Sequence, residues 1–515
     1  MRGGMKAEAK GGWRGLAAAT PYDQHAGSGF GYVNSSSSGE SADGSPDVGR
    51  RHATRPLSAA SYRQEVAVKT TPLLCLAALL LPAALAAQVT LVEHVIDNDA
   101  HGAASVYACD VDGDGDKDLL AAMYEEDRIL WWRNDGGNPI AWTRFVVGDG
   151  FLQAGSVYAA DLDNDSLTDV LGVARVGDEV AWWHNEGGDP ITWTKHTIRA
   201  GYDFAHEVYA ADMDRDGDMD VLGASTFLNQ ITWWRNDGGD PITWTEQVIG
   251  SSFSGAKSVH VADFDGDDTL DVVGAAILSN DVTWWHNGGG DPISWTGFLI
   301  DGDFGGAHRV QAVDVNCDGR PDVVGAAYFG NEIAWWRNNG GDTITWTKQT
   351  VGTGFGAACV AQAIDLDCDG DLDVIGTAQS GNQVAWWRND NSGGEPYTWT
   401  KFLIDSLVRV WPLFACDLDG DLDNDVIAAS GWAGTNELKW WENQGNGITE
   451  ARTLAGQTMH PRATIVRNLH GLSADNYYRV FDASGRVIAD SPARAGIYFV
   501  RATSIAEPAR LVLID

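Results

Sequence analysis

Seven short segments of this chain place carboxylates at a spacing suited to caging a hard cation. The first reads DVDGDGDKD from Asp110, the third DMDRDGDMD from Asp212 and the sixth DLDCDGDLD from Asp365, with acids at positions 1, 3, 5 and 9 of a nine-residue turn. Four carboxylates in one tight loop repel each other strongly unless a cation lies among them. Calcium takes six to eight oxygens at about 2.3–2.6 Å, and backbone carbonyls can complete such a shell. The expected ligands are Asp110, Asp112, Asp114 and Asp118 in unit one, then Asp161, Asp163, Asp165 and Asp169, then Asp212, Asp214, Asp216 and Asp220. Unit four supplies Asp263, Asp265, Asp267 and Asp271, and unit five Asp314, Asn316, Asp318 and Asp322, where the amide keeps an oxygen at lower charge. Units six and seven supply Asp365, Asp367, Asp369 and Asp373, and Asp417, Asp419, Asp421 and Asp425. Up to seven structural Ca2+ ions are expected. Position 6 is Gly115, Gly217, Gly319 or Gly370 in four units, which allows the sharp bend. Ser166, Asp268 and Leu422 stand there in the other three, and those sites are expected to be weak or empty. Asp also favours turns unaided, but turn preference does not explain one spacing repeated seven times. An EF-hand is excluded, because its position-12 Glu is Ala121 here.

The elements that hold these loops follow from their period. The loops start at Asp110, Asp161, Asp212, Asp263, Asp314, Asp365 and Asp417, at intervals of 51 residues and a last one of 52. Trp pairs keep the same beat, from Trp131/Trp132 to Trp440/Trp441, and a third Trp recurs in GGDPITWT-like phrases. Within a unit the apolar runs VYAAD, DVLGAS, QITWWRN and TWTEQVIG are each of strand length. Four short strands per unit of about 50 residues predict an all-β, seven-bladed β-propeller of four-stranded antiparallel blades. Adjacent side chains on a strand point to opposite faces. In a propeller both faces are covered, so a WW pair packs one ring toward each neighbouring blade. Val89–Asp97 (VTLVEHVID) resembles a fourth strand but precedes the first unit, and is expected to close blade seven. The stretch from Gly447 is the rival closing strand.

Composition sets the partners. With 35 Lys+Arg against 72 Asp+Glu the formal charge is -37, which repels a phosphate backbone and excludes unassisted nucleic-acid binding. Cys109 and Cys416 hold equivalent places in blades one and seven, as do Cys317 and Cys368 in blades five and six. Either pair could bridge, but both are expected first of all to be small buried thiols.

Leu73–Ala87 is an apolar run of secretory-signal character, preceded by Lys69 and too short for a comfortable membrane span. The expected organisation is a non-structural extension over 1–67, a signal peptide over 68–87, a propeller over 88–446, a linker over 447–462 and a small C-terminal β-sandwich over 463–515. No transmembrane anchor is expected.

The unit VYAADMDRDGDMDVLGAS, with its DxDxDGxxD loop between two strands, resembles the FG-GAP/VCBS repeats of bacterial secreted proteins and of the integrin α-chain propeller. That resemblance implies structural calcium and a secreted or cell-surface location. The phrases YYRVFDASGRVI and ARAGIYFVR resemble the C-terminal sorting domain of type IX secretion substrates, which implies contact with an export machinery. Such propellers serve adhesion, carbohydrate recognition and occasionally catalysis, so an extracellular protein or glycan ligand is expected. No enzyme is expected; a polysaccharide hydrolase or lyase and a purely structural surface protein are the rival classes. A variable position six residues before each acidic loop is held by Ala104, Gly155, His206, Lys257, His308, Cys359 and Trp411. His206, Glu207, Lys257, His308, Arg309 and Trp411 are therefore the candidate ligand-binding residues near the channel mouth, with ordinary solvated loop residues as the bland alternative.

Overall fold

The computed structural model describes residues 89–445 except 342 and 392–395, and four strands nearer the C-terminus. The 1–67 extension, the 68–87 signal and the 447–462 linker lie outside the described residues. Among the described residues every regular element is a strand, and no helix is long and apolar enough to cross a membrane.

Strand β1 (Leu91–Asp97) precedes blade one, which consists of β2 (Ala103–Cys109), β3 (Asp118–Met123), β4 (Arg128–Asn134) and β5 (Trp142–Asp149). These four pair antiparallel in chain order, and five further sheets repeat the arrangement. The seventh sheet takes Val410–Cys416, Asp425–Ser430 and Leu438–Asn443 from the end of the array and β1 from its start. Leu91 pairs with Asn443 and His94 with Trp440, so Val89–Asp97 does close the ring. Four strands, Tyr478–Asp482, Val487–Ile488, Gly496–Ala502 and Arg510–Ile514, form one antiparallel sheet of the segment expected to be a sandwich.

The second strand of each blade is buried along its whole length, as DLLAAM in β3 and DVLGVA in Asp169–Ala174 illustrate. Such a strand has apolar or small residues at every position because both its faces are covered. The Trp pairs divide as expected. Trp131 lies in the core between blades one and two with Trp183, while Trp132 lies in the core between blades seven and one with Trp440. The same partition recurs around the ring, giving seven inter-blade cores. Each core therefore takes the first Trp of one blade and the second Trp of the next.

Nearer the axis, side chains of the first strands join blade to blade. Phe414, Tyr107, Tyr158, Tyr209 and His260 form a run of ring contacts at 5.1, 4.7, 4.8 and 4.8 Å. Gln311 and Gln362 continue it by hydrogen bonding, accepting the Ala363 and Ala415 N–H groups at 2.7 and 3.0 Å.

The outer strands adapt to the second Trp of the following blade. Asp97 and Asp301 accept the indole N–H of Trp132 and Trp336 at 3.0 and 3.1 Å. At the corresponding place in blade one stands Gly148, where an added Cβ would lie 2.4 Å from the Trp183 ring. Gly148→Ala is expected to cost about 1–3 kcal/mol through overpacking. A lowered urea midpoint at constant m would show this, and an unmoved midpoint would mean that Trp183 has room to yield.

Candidate functional site

Each acidic loop joins the first and second strands of its blade and is shaped by its own carboxylates. Asp110 Oδ1 and Oδ2 accept the N–H groups of Gly113 and Gly115 at 2.7 and 3.0 Å, and Asp114 accepts that of Asp116 at 2.9 Å. Position 9 is different in kind. Asp118 has no exposed surface, and its oxygens accept the N–H groups of Val111 at 3.1 Å and Asn134 at 2.7 Å. Burial pushes its carboxyl up to about 7, against the lowering effect of those two hydrogen bonds. The equivalent Asp373 and Asp425 are pushed to about 8, again chiefly by burial.

These loops fit a divalent cation. Asp110, Asp112 and Asp118 each offer an oxygen within 4.8 Å of the others, and so do Asp161, Asp163 and Asp169, and Asp212, Asp214 and Asp220. Asp214 Oδ1 and Asp365 Oδ1 are buried with no hydrogen-bond donor, although a carboxylate removed from water needs a partner. The all-oxygen donor set of these three carboxylate groups suits calcium rather than a softer metal.

The loops without glycine at position 6 keep the shape of the others. Ser166, Asp268 and Leu422 adopt φ of 71°, 68° and 81°. Ser166 and Asp268 donate their N–H groups to Asp161 and Asp263 at 2.9 Å, as Gly115 does to Asp110. Two nearby residues that the sequence reading missed are His184 and His286. His184 Nε2 lies 3.0 Å from Asp163 Oδ2, and His286 Nδ1 lies 3.0 Å from Asp265 Oδ2. They sit on third strands, far in sequence from the loops they approach. Cys317 and Cys368 are exposed rather than buried, because they occupy left-handed position 4 of their loops, at φ of 55° and 57°. Among the described residues Cys109, Cys317, Cys359, Cys368 and Cys416 are all free thiols.

On the opposite face, the variable positions converge on one cavity to which every blade contributes. It is lined by His206, Glu207, Lys257, His308, Arg309 and Trp411, with Ala104, Gly155 and others completing the wall. The solvated-loop alternative is overturned for His206, Glu207 and His308, which are only 8, 8 and 5% exposed. Lys257 Nζ is 2.6 Å from His206 Nε2, the Arg309 guanidinium is 3.0 Å from Glu207 Oε1, and His308 Nδ1 donates to the Cys359 carbonyl at 2.8 Å. Arg175, also missed, joins this cluster from the turn after its second strand, packing on Tyr124 and Trp411 at 5.4 and 5.0 Å. The position just after the second strand, held by Tyr124 in blade one and Arg175 in blade two, carries the sequence signal for it.

The sequence signature of FG-GAP-like repeats matches residues 110–172, 167–223, 221–274, 314–376 and 365–428, more than half of the chain. The chain belongs to the FG-GAP-like repeat family. No curated protein matches it. Among solved structures, an Agrocybe aegerita lectin described as recognising non-reducing terminal N-acetylglucosamine is similar at 20% identity, with 62% of this chain and 90% of that chain covered and a TM-score of 0.43. BBS1N in complex with ARL6DN is similar at 11% identity, with 69% and 96% covered and a TM-score of 0.45.

Two outcomes follow for this FG-GAP-like array. Leu422 is 49% exposed, so Leu422→Gly removes left-handed strain and little packing. It is expected to raise stability by about 0.5–1 kcal/mol in thermal melts; a loss would mean that the side chain contributes more than the strain costs. Burial pulls His260 down to about 4, below its ordinary value of 6.5. A buried neutral His gives stability that is fully present above the unfolded pKa and is lost as pH falls from about 6.5 through about 4. His260→Gln should therefore flatten the fall in melting temperature over that window, and an unchanged slope would assign acid sensitivity elsewhere.

Proposed function

We propose that this protein is a secreted or cell-surface binding module of bacterial type, in which calcium in the acidic loops stiffens a propeller that presents ligand-binding residues at its channel mouth. The observation that carries this reading is the contrast between the two faces. One repeats the same acidic loop seven times, as a structural device would. The other brings His206, Lys257, His308, Arg309 and Trp411, chemically unlike and from four blades, to one cavity.

In each loop the residues at positions 1, 3 and 9, such as Asp110, Asp112 and Asp118, would hold the ion, with position 5 beside them. When bound, the ion supplies positive charge that offsets carboxylate repulsion. The C-terminal segment is read as the part recognised during export, with the ligand an extracellular protein or glycan. No catalysis is assigned.

A second reading, a lyase acting on acidic polysaccharide, is favoured by one observation. His206 and His308, with ring centres 6.1 Å apart, stand beside Lys257 and Arg309. Cations that neutralise a sugar carboxylate and an imidazole that accepts the neighbouring proton are the groups such an elimination needs. Incubation with polyuronates, followed by absorbance of the unsaturated product, separates the two readings: a linear rise establishes the lyase, and a flat trace retains the binding module.

Chelation is expected to lower the melting temperature by many degrees, since each ion at 100-fold its Kd contributes about 2.7 kcal/mol. Calcium should restore it, and a melting temperature indifferent to chelator would remove the metal from this account. A glycan array probed with and without chelator tests ligand binding; no bound glycan or protein in either condition would leave a purely structural role.

A further inference from the structure

Arg175 is an arginine almost sealed from water, only 3% exposed, and among the described residues no carboxylate lies within ion-pair distance of it. Its Nε and Nη2 have no hydrogen-bond partner. The guanidinium lies against Gly155, where an added Cβ would be 2.8 Å from Nε, and over the Trp411 ring; both residues line the channel-mouth cavity. Lys257, from the next blade but one, lines the same cavity. Its ammonium lies 2.6 Å from His206 Nε2 and 5.7 Å from the Trp411 ring centre, again with no carboxylate beside it. The cavity's one lining acid, Glu207, is already committed: Oε1 to Arg309 at 3.0 Å and Oε2 to the Val259 N–H at 2.9 Å. A chain with 72 acidic residues thus leaves a sealed guanidinium and a half-buried ammonium without an ion-pair partner at the centre of one face.

Sequestering a cation without a counter-charge is costly, and oxyanions make short, charge-assisted hydrogen bonds to guanidinium and ammonium groups. We propose that the channel mouth is an oxyanion site, in which Arg175 and Lys257 take one carboxylate, sulfate or phosphate head group beside Trp411. The cavity volume of about 20 Å³ admits a single small group, so the body of any larger ligand stays outside, at the rim. Burial, followed by the charge of Arg175, pulls Lys257 well below its ordinary value, as expected of a cation lacking an anion. This inference rests on the channel mouth being the recognition surface and adds the chemical class of its ligand.

The calcium-loaded full chain should be titrated calorimetrically and by thermal melting with sodium phosphate, sodium sulfate and sodium glucuronate, against sodium chloride at equal ionic strength. Saturable binding is expected, with a rise of several degrees in melting temperature. Arg175→Gln and Lys257→Met should each weaken binding at least tenfold, and Lys257→Met should melt no lower than wild type in anion-poor buffer. Tighter binding of glucuronate identifies the head group of an acidic sugar, and tighter binding of phosphate or sulfate identifies an inorganic or ester anion; both support the site. Should Arg175→Gln fail to fold, Lys257→Met and the wild-type titration carry the test. A non-saturable salt effect shared by wild type and variants would overturn the proposal. Binding of neutral N-acetylhexosamine, lost in Trp411→Ala and insensitive to the anions, would also overturn it while leaving the recognition reading intact.

Discussion

The structure depends on burying both faces of every sheet. A four-stranded blade of this sequence has apolar side chains on both sides of its second strand, and its paired tryptophans point in opposite directions. Neither face can be satisfied by one partner, so each blade needs two. A closed circle gives every blade two neighbours and leaves no terminal blade with a bare face. The size of indole sets tight tolerances, with Gly148 making room where Asp97 and Asp301 instead offer an acceptor.

The acidic loops are joined to this packing through position 9. Asp118 has a buried carboxylate that fixes the start of its own loop and the end of β4. Asn236 and Asn338, at the ends of their third strands, extend the connection by donating to carbonyls of Leu162 and Phe264 in the preceding blade at 2.8 Å. Loop geometry and blade spacing are therefore one mechanical system. The buried acid and the Asx-rich turn serve the fold whether or not the loop also binds an ion.

Much of this was legible because it repeats. A period of 51 residues exposed the blade count, the four runs per unit exposed the strands, and the fourth-strand likeness of Val89–Asp97 exposed the closure. The candidate ligand residues were found by asking what varies on a regular frame, and they do meet in space. What escaped lies between elements distant in sequence. His184 and His286 approach the acidic loops from third strands, and Arg175 packs against the channel-mouth residues Gly155 and Trp411 from a turn after a second strand. Cys317 and Cys368 are exposed against cysteine's usual preference for burial because the loop imposes a left-handed backbone at position 4.

The closing pair has a consequence for biosynthesis. His94 and Glu442 are bonded across 348 positions of sequence, so β1 emerges from the ribosome with no partner and waits until nearly the whole array has been made. During that interval it presents an unpaired edge, and six blades stand beside it as an incomplete arc with two uncovered ends. Such a nascent chain is exposed to mispairing with other copies, and a holding factor or fast translation of the last blade would protect it. The same latch ties the first and last strands of the array into one sheet, so no blade of the finished circle is a terminal one.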